Sequence, residues 1–99
     1  MTSASASPSS LAIEHLADRG RFEVVVDGKR GELDYRAQGG VMTILHTGVA
    51  PALEGRGIAG ALMRAALAHA RSSGWKVRPA CSYARTYMDR HSELRELLV

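Results

Sequence analysis

The sequence predicts an α+β fold: a mixed, mostly antiparallel sheet with one long helix packed on it and short helices toward the C-terminal end. Three observations carry this. Polar and apolar residues alternate after Asp27-Gly28, apolar residues recur every three or four positions from Ile58 to Ala70, and a β-rich stretch follows the glycine that ends that run.

Leu11 to His15 reads as a first, short strand. Phe22 to Val26 is rich in strand formers and stops at Asp27-Gly28, a dipeptide that favours a two-residue hairpin turn. Its partner is Lys29 to Arg36, where Leu33 and Tyr35 alternate with Glu32, Asp34 and Arg36, so one face is buried. Gln38-Gly39-Gly40 gives a second turn. Val41 to Val49 is the most apolar strand and takes a central place.

Pro51 ends that strand and the period changes. Ile58, Ala59, Leu62, Met63, Ala66, Leu67 and Ala70 line one face of a helix, Arg64, Ala68, Arg71 and Ser72 take the other, and Gly74 closes it. Trp75 to Cys81 is a further strand. The order strand, helix, strand implies a right-handed crossover and a parallel pair. Pro79 removes one ladder donor, which puts this strand at an edge or interrupts the sheet. Tyr83 to Asp89 and Glu93 to Leu98, the second capped by Ser92, are short helices.

With 99 residues and 10.6 kDa, the chain is one domain from residue 11 to 99. Residues 1–10, rich in Ser and Ala, read as a disordered lead-in without the basic start or apolar centre of a signal peptide. No apolar stretch is long enough to span a membrane as a helix. The charge of +3 is compatible with an anionic ligand, but the Lys and Arg residues are scattered. One Phe and one Trp offer little for stacking bases, so a nucleic-acid binder is not the reading. Cys81 is the single cysteine, which rules out an intrachain disulfide and suits a reducing compartment, so the cytoplasm is expected.

Gly55, Gly57 and Gly60 fall where strand gives way to helix. A helix start presents unpaired N–H groups and partial positive charge, an anion site, and glycine allows close approach of a ligand. Arg56 can add a charged contact, whereas Glu54 opposes one. Without Lys-Ser or Lys-Thr after the glycines the loop is not a Walker motif, and its spacing is not that of the dinucleotide fingerprint. A glycine turn serving only close helix–sheet packing remains the plain alternative.

Cys81 at a strand end is either a small buried hydrophobe or an accessible thiol. His46 lies on the side of the alternation that holds Met42 and Ile44, either as a bonded core residue or as a base facing a cleft. His15, His69 and His91 read as surface or capping residues. The histidines and the cysteine lack metal-ligand spacing, so no metal is expected. Tyr83, Arg85 and Tyr87 suit a pocket wall or an ordinary half-buried helix.

The segment Gly55-Arg56-Gly57-Ile58-Ala59 resembles the acetyl-CoA pyrophosphate loop of the Gcn5-related N-acetyltransferases. Three stretches are similar to its minimal subfamily of about a hundred residues, marked by a cysteine and a glycine motif. They are Gly31 to Arg36, His46 to Val49 leading into Pro51 and the loop, and Pro79 to Tyr83 leading to Arg90-His91. The broader superfamily carries Gln or Arg where Glu54 stands, and the final strands that often build its acceptor site are absent.

This resemblance implies an acetyl-CoA-dependent N-acetyltransferase with a small GNAT-like fold. The strands ending at Val49 and Cys81 would splay around the pantetheine arm. Thr47, Val49, Gly55, Arg56, Gly57, Ile58, Ala59, Gly60, Tyr83, Arg85 and Tyr87 would bind acetyl-CoA or CoA. His46 would be the general base, and Cys81 either an acetyl-accepting nucleophile or a thiol that positions the thioester. The expected partner is a small-molecule or peptide amine, with no nucleic acid and no membrane, for a monomer or weak homodimer. A non-catalytic module that binds CoA is the rival reading.

Overall fold

The computed structural model describes residues 11–99; the expected lead-in lies outside them. Five strands form one sheet in chain order: β1 (Glu14–Leu16), β2 (Arg21–Val26), β3 (Lys29–Gln38), β4 (Val41–Val49) and β5 (Lys76–Pro79). The first four pair antiparallel and β5 pairs parallel to β4. Two turns fix the register. Asp27 and Gly28 between β2 and β3 have φ of 52° and 75°, and Gly39 and Gly40 between β3 and β4 have 59° and 76°. Both pairs thus take the left-handed conformations that a tight two-residue hairpin needs.

The parallel crossover runs through α1 (Ile58–Ser72), and α2 (Ser82–Asp89) follows β5. Helix α1 ends as Gly74 predicts. Gly74 N–H reaches Arg71 O at 3.1 Å and Trp75 N–H reaches Ala70 O at 2.8 Å, with Gly74 at φ 75°. These two bonds satisfy carbonyls left over at the helix end and turn the chain straight into β5.

One layer of core lies between the sheet and both helices. Phe22, Val24, Leu33, Tyr35, Met42, Ile44 and Val77 meet Ile58, Leu62, Met63, Ala66, Leu67 and Ala70 of α1, with Ala84 and Met88 of α2. Each large apolar side chain buried there is worth about 1.5–3 kcal/mol. The alternation leaves Arg21, Glu23, Arg30, Glu32, Asp34 and Arg36 on the opposite, open face. The result is the small α+β fold expected, two layers thick.

Several boundaries differ from expectation for physical reasons. Strand β1 is Glu14–Leu16, not Leu11 to His15, because Leu11 and Ile13 pack against the core without pairing. Strand β5 stops at Pro79, and the N–H groups of Ala80 and Cys81 both converge on Ile44 O at 3.0 and 3.1 Å. The last helical piece is a 3₁₀ helix, Ser92–Leu97, whose N-cap is His91, and no side chain caps it. Beyond it Leu98 bridges Val77, and Val99 N–H bonds Val77 O at 3.1 Å, covering the outer side of β5.

His15 and His69 belong to a half-buried aromatic cluster rather than to the free surface. The His15 ring stacks on Phe22 at 4.1 Å, its Nε2 is hydrogen-bonded to the Tyr35 hydroxyl at 2.6 Å, and His69 meets it edge-on. His69 in turn stands edge-on to Trp75. A polar ring serves at position 15 because its nitrogen is a partner for the Tyr35 hydroxyl.

Candidate active site

A single inserted residue sets the chemistry of β4. Tyr35 pairs with Ile44, yet Asp34 pairs with His46, so Leu45 is extra. Such a bulge shifts the alternation by one. Met42 and Ile44 face the core. After the bulge Thr47, opposite Leu33, takes the core side, and His46, opposite Asp34, moves to the open face. His46 therefore does not share a face with Met42 and Ile44 as its sequence position suggests. The residue turned toward the helices is Thr47.

The same stretch loses its other neighbour. The β4–β5 pairing ends at Ile44 and Pro79, and β5 then bends away into α2. Ala50 N–H bonds Arg30 O at 3.0 Å, toward β3. By the antiparallel alternation, Val49 and Thr47 point their N–H and C=O groups the other way, into the gap that β5 vacates. Cys81 lies across that gap as the N-cap of α2. Its sulfur accepts a hydrogen bond from Ala84 N–H at 3.4 Å and is 3.7 Å from Thr47 Oγ1. A helix start is a favourable place for a sulfur that carries negative charge, whether its own or a neighbour's.

The glycine loop closes one end of the gap. Gly57 is the N-cap of α1 at φ 77°, with no side-chain cap, and the first bond of the helix runs from Ala61 N–H to Gly57 O. Among the described residues, the N–H groups of Gly55, Arg56, Gly57, Ile58, Ala59 and Gly60 have no protein acceptor. Gly31 on β3 allows this approach: a Cβ there would be 3.0 Å from Ile58 Cγ2. A cavity of about 180 Å³ opens at the loop, lined by Gly55, Gly57, Ile58, Ala59 and Gly60 with Val49, Leu53, Glu54 and Tyr83. Burial holds the Tyr83 phenol above its ordinary range, so the hydroxyl keeps its proton and can donate.

Three of the expected binding residues lie elsewhere. The Arg56 guanidinium is 3.5 Å from Asp27 Oδ2 in the β2–β3 turn and does not line the loop cavity. Arg85 donates to Ala80 O at 3.1 Å, bracing the turn from β5 into α2. Tyr87 lines a neighbouring groove and stacks on His91 at 4.2 Å. Arg64, which the helical pattern assigns to a solvated face, lies close to Gly60. Its Nη1 would be 3.4 Å from a Cβ at Gly60. The signal in the sequence is the small residue four positions earlier, over which a long side chain folds back.

On the open face, His46 Nε2 is 3.4 Å from Glu32 Oε2. Gly48 makes room for this. A Cβ at Gly48 would come within 2.8 Å of His46 Nε2 and 3.2 Å of Glu32 Oε2. His46 and Cys81 are not hydrogen-bonded to each other; their partners are Glu32 on one side, and Thr47 and Ala84 on the other. Among the described residues no group of three or more His, Cys, Asp or Glu residues is arranged to hold a metal ion.

The profile of the GCN5-related N-acetyl-transferase family matches residues 21–97, from β2 through the loop and Cys81 to the final turn. The chain belongs to that family. The fold agrees with a solved member of similar size, a GCN5-like protein from Staphylococcus aureus determined in solution by NMR. The two are 26% identical with a TM-score of 0.73, over 92% of this chain and 90% of that one. No curated protein matches the sequence. In this chain the diverging ends of β4 and β5 and the uncapped start of α1 frame the gap.

Proposed function

We propose that the protein transfers an acetyl group from acetyl-CoA directly to an amine, with the thioester held in the gap between β4 and β5. The observation that carries this is the continuity of unpaired backbone: Thr47 and Val49 along the gap, then the free N–H groups from Gly55 to Gly60 at its end. An extended pantetheine arm has amides that pair with a strand edge, and a pyrophosphate suits a helix start rich in glycine. The fit is specific in one more respect. Gly55 and Gly57 take φ of 81° and 77°, and open space surrounds the place where a Gly55 Cβ would stand, so a bulky anion meets no side chain there. Glu54 is the one group there that opposes an anion. The three matching stretches support a place in the minimal cysteine-and-glycine subfamily.

Acetyl transfer needs a neutral amine, a polarised carbonyl and a stabilised leaving sulfur. His46 is the base that takes the amine proton, and Glu32 steadies its ring. The amine nitrogen forms the new bond to the acetyl carbon while the C–S bond breaks and its electron pair leaves with sulfur. A backbone N–H of Thr47 or Val49 receives the carbonyl oxygen. Cys81 acts as a positioning and proton-donating thiol beside the leaving sulfur, not as the nucleophile, because a nucleophilic cysteine calls for a base within hydrogen-bond reach. The acceptor approaches from the open face that carries His46, and it is a small-molecule or peptide amine of the cytoplasm.

Turnover of acetyl-CoA with a panel of polyamines and peptide amines tests the activity, and the intact mass of protein incubated with acetyl-CoA alone tests the route. Direct transfer predicts turnover and an unmodified Cys81. A kinetically competent acetyl adduct on Cys81 would replace direct transfer by a two-step route. Saturable CoA binding with no turnover on any amine would favour a non-catalytic binding module instead.

A further inference from the structure

A cavity of about 380 Å³ opens at the open face of the sheet, lined by Arg30, Glu32, Gly48, Val49 and Ala50. Two features join it to the proposed chemistry. Val49 lines both this cavity and the one at the glycine loop, so the end of β4 is a wall they share. The His46 imidazole lies over Gly48, since a Cβ there would come within 2.8 Å of its Nε2. A small amine in this cavity has the base at one wall and the end of β4 at another.

The charges here follow one another along β3. Arg30 and Glu32 share the open face by the alternation of the strand, and Glu32 is opposite Gly48. Glu32 Oε2 is 3.4 Å from His46 Nε2, and Glu32 Oε1 is 3.8 Å from Arg30 Nε. The second contact is longer than a hydrogen bond, so Arg30 keeps its N–H donors for another acceptor. Arg21 on the same face differs, being committed to Asp34 through bonds of 2.7 and 3.3 Å. The Arg30 backbone is pinned by Ala50 N–H, while its side chain is 58% exposed. One carboxylate thus stands between an imidazole and a guanidinium, with a cavity beside them.

Resting on the reading that His46 takes the proton of the amine, we propose that this cavity seats the acceptor and that Arg30 binds a carboxylate on it, which makes the acceptor a free α-amino acid. Glu32 and His46 attract the amine end, which arrives protonated. Arg30 holds the other end, because a planar guanidinium takes a carboxylate through two parallel charge-assisted bonds. Glu32 repels that carboxylate from its own side and so directs it to Arg30. The polarity decides the class. A polyamine would set a second cation against Arg30, and a lysine side chain of a protein brings no carboxylate close to its amine. In an α-amino acid a single carbon separates amine from carboxylate, which suits binding groups on either side of one Glu32 side chain. After transfer the amide nitrogen carries no charge, Glu32 loses its attraction for it, and the product leaves.

Steady-state acetylation by the full chain tests this, with free amino acids each paired with its own carboxamide, and with polyamines, at equal concentrations of neutral amine. The wild type should prefer the acids by about tenfold or more in kcat/KM, the scale of one charge-assisted hydrogen bond. Arg30→Ala should erase the preference by raising KM for the acids alone, with carboxamide turnover unchanged, and Arg30→Lys should restore part of it. Arg36→Ala, on the same face but opposite Thr43, should preserve it. Carboxamides or polyamines used as well as the acids by the wild type would overturn the subsite and leave acetyl transfer standing. Equal losses for acid and carboxamide in Arg30→Ala would also overturn it, reducing Arg30 to a support for Glu32. If no amine is acetylated, the transfer reading itself falls, and the subsite with it.

Discussion

The Thr47 hydroxyl lies 3.7 Å from the Cys81 sulfur, across the gap where β4 and β5 part. His46, the preceding residue, is on the opposite face of the sheet with Glu32. One strand thus carries a sulfur-facing hydroxyl and an imidazole on its two sides, and one inserted residue, Leu45, arranges both.

Thr47 and Cys81 should act as a coupled pair. Cys81→Ala should keep measurable turnover and lower kcat about tenfold or more, as expected for loss of a proton donor rather than of a nucleophile. Thr47→Val should cost less. In a double-mutant cycle their effects should be non-additive by about 0.5–3 kcal/mol. Strict additivity would mean that the contact plays no part in transfer.

His46 should control kcat through its position. His46→Gln should lower kcat about a hundredfold or more. Gly48→Ala should have a milder effect in the same direction, because the new Cβ would displace the imidazole from Glu32. Full activity of His46→Gln at all pH values would end the base assignment.

At the helix mouth, Gly57→Val should weaken CoA binding far more than it weakens the fold. The left-handed N-cap costs a side chain about 1–2 kcal/mol, a loss readable in a urea midpoint. The binding loss, measured by calorimetry, should exceed it, since a branched residue at φ 77° would distort the donors on both sides. Equal losses in the two measurements would assign Gly57 to packing alone.

Acidification should destabilise the protein through His15. Burial against Phe22 and Tyr35, and then the neighbouring His69, lower its affinity for a proton in the folded state. The unfolded chain therefore takes up that proton first. This contribution is complete above about pH 6.5, the ordinary histidine value, and is lost as pH falls below it toward the folded value. His15→Phe should flatten the fall in thermal midpoint between about pH 7.5 and 5.5. An unchanged slope would place the acid sensitivity elsewhere.

The hairpins, the central strand and the long helix were legible because their signals are local. Asp27-Gly28, Gly39-Gly40 and Gly74 each encode a backbone conformation, and the helix repeats its apolar residues on one face. The glycine loop was legible for the same reason. The bulge was not, because Leu45, His46 and Thr47 all suit a strand and nothing in their order says which one is extra. Only the pairing with Tyr35 and Asp34 on β3 decides it. For a similar reason the position of Arg56 was not legible. Adjacency to the loop favoured Arg56, but a contact with Asp27, distant in sequence, draws it away, while Gly60 lets Arg64 fold back.

The final two residues have a bearing on how the molecule behaves in company. A four-residue border strand with its ladder exposed invites pairing with other chains. Here Leu98 and Val99 already occupy that border at Val77. The tail works as a selvedge on the fabric of the sheet. Fraying it would open the backbone groups of Val77 to pairing with another chain.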